Sequence, residues 1–103
     1  MTLPNEVKER LEEVMNDWLL RSDEIARAGF DFLEKIGIEP KLETLLSYTV
    51  GVWDSVVGSF IHHQYERGMT EAEDKEMIEL IKREIPELEI KFRAFLEKRK
   101  SMT

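Results

Sequence analysis

The sequence predicts an all-α domain, an antiparallel bundle of three long helices that pairs with a second copy of itself as a dimer. Three observations carry this reading. Apolar residues recur at steps of three and four along nearly the whole chain, the period that gathers side chains on one helical face. Helix stop and start signals cluster at only two places, Gly37 to Pro40 and Gly68 to Glu73. The run from Leu42 to Tyr65 is apolar on more than one face, which predicts a buried helix with neighbours on several sides.

Helix one is expected to open near Thr2 to Pro4, because proline is tolerated in a first turn and Glu6 complements the positive end of the helix dipole. Its stripe comprises Leu3, Val7, Leu11, Val14, Met15, Trp18, Ser22, Ile25, Gly29, Phe32, Leu33 and Ile36. The stripe holds its phase, which predicts one continuous helix. Ser22, Asp23 and Glu24 are also suited to capping a new helix, and a break near Ser22 would raise the count to four. Gly37 followed by Ile38 has the form of a left-handed cap with an apolar contact, after which Pro40 restarts the helix.

Helix two is expected from about Pro40 to Arg67, with Gly68 as its stop and Met69 packing back on the last turn. Thr70 then opens Thr-Glu-Ala-Glu, a capping box in which the Thr70 hydroxyl and the Glu73 carboxylate satisfy each other's backbone donors. So short a connection predicts an antiparallel hairpin with helix three. Helix three, from about Glu71 to Lys98, carries Met77, Ile81, Ile85, Leu88, Phe92, Phe95 and Leu96 on one side. Pro86 lies inside it, and an interior proline costs about 3 kcal/mol in a straight helix. A kink near Pro86 is expected, the alternative being two helices with Pro86 opening the second.

Composition narrows the functions open to the chain. Residues 1–103 read as a single domain, and 42% hydrophobic with 36% charged residues supports a folded chain. A net charge of −7 opposes nucleic acid and anionic membranes as partners. Without cysteine there are no disulfides, thiolate metal sites or cysteine nucleophiles, and the start lacks a secretory pattern, so a cytoplasmic location is expected. Leu42 to Ile61 is long enough to span a bilayer, but Glu43 and Asp54 interrupt it, at about 2.5–3.5 kcal/mol for a carboxylate near the bilayer centre. A buried core helix is expected there instead.

At about 100° per residue, that run carries a broad apolar face opposite a line that includes Ser47, Gly51, Asp54, Ser55, Gly58 and His62. Two glycines inside a helix cost about 0.8–1.0 kcal/mol each relative to alanine, so something is expected to approach this line closely. Helix one through Ser22 and Gly29, or a second copy in a symmetric dimer, would do so. The competing reading is a crevice in which Asp54 and His62, with Glu66 one turn beyond His62, hold a metal or a small polar ligand. His62 and Glu66 at i and i+4 would supply two ligands on one face, and a site needs more. His62 and His63 also suit the negative end of a helix dipole without any ligand.

The remaining clusters have simpler readings. Glu9, Glu12, Glu13 and Asp17 lie away from the apolar stripe and read as a solvated face. Lys91, Arg93, Lys98, Arg99 and Lys100 suit the end of a helix dipole. Ser59 and His63 share a helix, but no orienting acid, oxyanion loop or phosphate loop accompanies them. No cofactor is implied. The expected function is a small helical interaction or regulatory module that acts as a homodimer and binds a protein partner, without nucleic acid or membrane. The alternative is a metal-assisted enzyme acting on a small phosphorylated or polar substrate in a crevice around Asp54 and His62.

Overall fold

The first apolar stripe folds into two helices rather than one. In the computed structural model, which describes residues 3–101, the elements are α1 Asn5–Leu20, α2 Ser22–Lys35, α3 Leu42–Tyr65 and α4 Glu71–Ser101. Every described element of regular structure is helical. Pro4 is the N-cap of α1, and its carbonyl accepts from the N–H groups of Val7 and Lys8, both at 3.0 Å. Thr2 lies outside the described residues.

The three-helix expectation is corrected at Arg21, whose φ of −105° and ψ of 31° leave the helical region. The stripe itself runs through the break, with Val7, Leu11, Met15 and Leu19 buried before it and Ala26, Gly29 and Leu33 after it. Periodicity reports the face and is blind to a one-residue bend that preserves it. Arg21 clamps the bend from outside, with its guanidinium 3.2 Å from Asp17 and 3.0 Å from Glu24. Asp23 and Glu24 favour the dipole of the new helix. Two expected core residues fall outside the core, Phe32 at 46% exposure and Ile36 at 52%.

The end of α2 follows the expected cap. Gly37 has φ +82°, the Ile38 N–H donates to the Leu33 carbonyl at 2.8 Å, and the Gly37 N–H donates to Glu34 at 3.1 Å. This pair of bonds closes a Schellman motif. The next helix begins at Leu42 rather than Pro40 and ends at Tyr65 rather than Arg67. Glu66, not Gly68, takes the left-handed conformation, with φ 53° and ψ 41°.

That early stop serves the turn that follows. The capping box is present: Thr70 N–H donates to Glu73 Oε1 at 2.8 Å, and Glu73 N–H donates to Thr70 Oγ1 at 3.1 Å. Arg67 adds a two-pronged clamp on the same carboxylate, at 2.7 and 2.9 Å. Glu73 is only 1% exposed. The Arg67 hydrogen bonds, then the Thr70 backbone bond, pull its pKa from the ordinary 4.5 to about 2. Nearby, the Tyr65 hydroxyl donates to Glu6, and the Leu3 N–H donates to Glu76 at 3.0 Å, so the start of α1 is tied to the same end of the bundle.

Three arms result. The bent α1–α2 arm runs antiparallel to α3, with Glu6 beside Tyr65, Trp18 beside Trp53 at 6.2 Å between rings, and Gly29 against Leu45 and Tyr48. It runs parallel to α4, from Leu3 beside Glu76 to Phe30 beside Phe95 at 6.2 Å. Trp53, Phe92, Leu11, Leu45, Ile61 and Leu88 are the largest fully buried apolar side chains at the centre. α4 continues on both sides of Pro86, so the alternative of two helices meeting there is not adopted. Pro86 is exposed, so water can satisfy the carbonyl one turn earlier that its missing N–H leaves free. The molecule measures 49 × 26 × 18 Å.

Because the folded pKa of Glu73 is depressed, its contribution to stability is fully present above about pH 4.5 and is lost as the pH falls toward 2. Glu73→Gln is expected to lower stability at pH 7 by about 2–3 kcal/mol in urea unfolding. It should also flatten the acid limb of the wild-type pH–stability curve. An unchanged acid limb would show that the clamp is not ionic.

Candidate functional site

The inner side of α3 is a row of buried residues one turn apart, Leu45, Thr49, Trp53, Val57 and Ile61. Only this row is sealed. Leu42, Leu46, Val50 and Phe60 are half-buried against the core, and Val52 and Val56 are also half-buried. The expectation of a helix buried on several faces is therefore corrected for the single chain: its arms cover one side of α3, and the opposite side is open.

All six predicted line residues lie on or beside that open side. Ser47, Gly51, Asp54, Ser55 and His62 are exposed and Gly58 is half-buried. A Cβ placed on Gly51 or Gly58 would meet nothing within 4 Å, so none of the described residues on the other helices approaches either glycine. The expectation that helix one reaches this line through Ser22 and Gly29 is corrected as well. Gly29 packs near the inner side, where a Cβ would come 3.3 Å from Leu45 Cδ2, because the arm lies along the Trp53 side of α3.

Two grooves flank the open face. Between α3 and α4, a groove of about 360 Å³ is lined by Val50, Asp54, Asp74, Met77, Ile78, Ile81, Lys82 and Ile85. On the other side, Arg10 and Phe60 join Val52, Val56, Ser59 and His63 in a second groove. The chain has 15 basic and 22 acidic residues, yet α3 contains no Lys or Arg and only Glu43 and Asp54 as acids. A surface helix face so poor in charge departs from ordinary amphipathic design.

At one end the face gains an aromatic extension that periodicity did not single out. Tyr48 is 37% exposed and lies 5.6 Å from the ring of the exposed Phe32. The signal was available for Tyr48, which precedes Gly51 by three residues and so continues the line. Phe32 was hidden because its spacing also fits the core stripe.

The metal reading loses a ligand to backbone geometry. Glu66 is the left-handed C-cap of α3, so it does not share a helical face with His62. The His62 carbonyl instead accepts the Glu66 N–H at 3.0 Å, and the His62 ring sits 5.7 Å from that of His63. Among the described residues no three His, Asp or Glu side chains gather as a metal-ligand set. Glu9, Glu12, Glu13 and Asp17 are all exposed, with Glu13 near Arg10 at 3.8 Å and Asp17 paired with Arg21. In the basic C-terminal turns, Arg93 pairs with Glu89 at 2.7 Å, and Arg99 lies 3.5 Å from Asp31 and 4.0 Å above the Phe30 ring. Among the described residues no helix is long and apolar enough to cross a membrane.

The open face thus offers hydroxyls, bare backbone at two glycines, one carboxylate and two apolar grooves. Compared with protein-family models, curated proteins and solved structures, the chain matches none.

Gly51→Ala and Gly58→Ala are each expected to stabilise the single chain by about 0.8–1 kcal/mol, because helix propensity improves and no neighbour is displaced. Gly29→Leu should instead destabilise it by about 1–3 kcal/mol through overpacking against Leu45. Thermal unfolding of dilute protein followed by circular dichroism reads both directions.

Proposed function

We propose that the protein is a small helical interaction module that works as a homodimer, using the open face of α3 as its contact surface and presenting the rest of the bundle to a protein partner. One observation carries the reading: two helix-weakening glycines sit on an open, nearly uncharged face where no other helix among the described residues touches them. Each exposed glycine lowers helix stability by about 0.8–1.0 kcal/mol relative to alanine. A partner helix that needs close backbone approach offsets that loss in the assembled state. Depletion of Lys, Glu and Asp is also how the centre of a protein interface differs from ordinary surface.

The size is adequate. A 24-residue helix is about 36 Å long. At the ~10–12 Å diameter of a helix with its side chains the face covers about 400 Å², and the grooves on each side extend it toward the ~800 Å² per partner of a standard specific interface. Charge points the same way, because the outer sides of α1, α2 and α4 carry nearly all the ionisable residues. Apposing any of those to α3 would strip water from charged side chains.

Sedimentation analysis over a concentration series is expected to give twice the 12.2 kDa chain mass, with dissociation on dilution. The double variant Gly51→Ala/Gly58→Ala should melt higher when dilute yet dimerise at least tenfold more weakly, a loss of about 1.4 kcal/mol or more. A chain mass that stays at 12.2 kDa up to about 100 µM, where even a weak specific interface would associate, sinks the proposal.

A further inference from the structure

We infer that the two copies pair about a two-fold axis running along α3, so that each α3 lies against the groove wall of the partner's α4, with the partner's Ile78 over Gly58 and the partner's Ile85 over Gly51. This rests on the homodimer reading and adds what covers the glycines. The covering wall differs from the charged outer side of α4. Ile78 is 45% exposed, Ile85 is half-buried and Lys82 stands between them, all three lining the α3–α4 groove. Across that groove a Cβ on Gly51 or Gly58 would meet nothing within 4 Å. One surface thus carries both knobs and holes.

Levels along the hairpin set the match. α3 ends at Tyr65 and α4 begins at Glu71, the two run antiparallel, and both rise about 1.5 Å per residue. Each step back from Tyr65 is therefore matched by one step forward from Glu71. Seven steps bring Gly58 level with Ile78, eleven bring Asp54 level with Lys82, and fourteen bring Gly51 level with Ile85. The groove obeys this register, since Val50 and Ile85, the lining residues of each wall farthest from the turn, lie within one step of it.

Symmetry turns the register into complementarity. A two-fold axis along α3, set over the α3–α4 groove, keeps every level and exchanges the two walls. Each glycine of one copy then meets an isoleucine of the other, and between those two levels Asp54 meets the partner's Lys82. Neither Asp54 nor Lys82 has a hydrogen-bond or ion-pair partner among the described residues, so the contact compensates both as water leaves. An axis perpendicular to the helices would instead keep the walls, with α3 on α3 and α4 on α4. The glycines would then gather on one side of the interface and the isoleucines on the other, and an axis at the level of Asp54 would set like charges together. Pairing along α3 also makes each of the four central helices antiparallel to both its neighbours, the up-down order of a four-helix bundle.

The chain has no cysteine, so engineered disulfides report the pairing without background. The register levels Ser47 with Glu89, eighteen steps from the turn on each helix. Chains carrying Ser47→Cys and chains carrying Glu89→Cys, mixed and oxidised, are expected to form a covalent heterodimer at least tenfold faster than Ser47→Cys mixed with His62→Cys, the pair that a perpendicular axis near Asp54 would join. Mass spectrometry without reductant reads the products. Because the two cysteines sit on different chains, no bond within a chain can mimic the result. Ile78→Asp, at an exposed position, should raise the dimer dissociation constant at least tenfold while circular dichroism shows the helices intact. If the wild type dimerises but Ser47→Cys joins Glu89→Cys no faster than His62→Cys, or Ile78→Asp dimerises as tightly as the wild type, the pairing of α3 with the partner's α4 is wrong and the homodimer reading survives. If the wild type is monomeric, both fall.

Discussion

Glu73 is sealed inside the turn between the two longest helices, and the placement of the arms follows from how its charge is satisfied. An ionised carboxylate taken out of water costs several kcal/mol unless strong donors replace the lost hydration. Here the donors are the Arg67 guanidinium fork and the backbone N–H of Thr70. Arg67 can reach only because α3 stops at Tyr65 and Glu66 turns left-handed. Glu66 adopts a backbone conformation that is uncommon for a residue with a Cβ, and the buried ion pair offsets that local strain. The same turn aligns α4 along α3, which is why Val50 shares a groove with Ile85 and Asp54 with Lys82.

From that turn, order spreads to the first arm. Tyr65 holds Glu6, and Glu76 holds the Leu3 backbone, so the chain start is tied to the hairpin before α1 crosses it. Further along, Trp18 meets Trp53, whose indole Nε1 is buried with no hydrogen-bond partner among the described residues. An unsatisfied donor of this kind costs about 1–3 kcal/mol, and the ring is retained because its bulk fills the space where the first arm, α3 and α4 converge. The bend at Arg21 lets the arm follow this central bulge and still deliver Phe30 to Phe95 at the far end.

A consequence of this economy is that the two other arms cannot surround α3. Each arm covers one strip of it, and the sealed strip is a single row from Leu45 to Ile61. What the arms leave open is the side with the glycines, on a helix with no Lys or Arg and only Glu43 and Asp54 as acids. Stability of the single chain argues for alanine, lysine or glutamate there, and the residues present contradict that preference. The proposed dimer reconciles the conflict, since packing against a second copy is a requirement that the isolated bundle does not contain.

Local features were legible before the structure because their physics is local. The Gly37 cap, the Thr70–Glu73 box and the helical class depend on residues within five or six positions of one another, and each is present as read. The six line residues of α3 were also legible, since helical period alone puts Ser47, Gly51, Asp54, Ser55, Gly58 and His62 opposite the buried row. Period does not report what lies across a helix, so the side of α3 that would be covered, the exposure of Phe32 and the loss of Glu66 from the His62 face stayed out of reach. The bend at Arg21 was hidden for the same reason, because a one-residue break can leave the phase of a stripe intact. Sequence by itself determined that the chain is helical, where its hairpin turns and which α3 residues share a line. Tertiary structure alone decided that this line is open, because only the packing of distant arms sets which faces of a helix find neighbours.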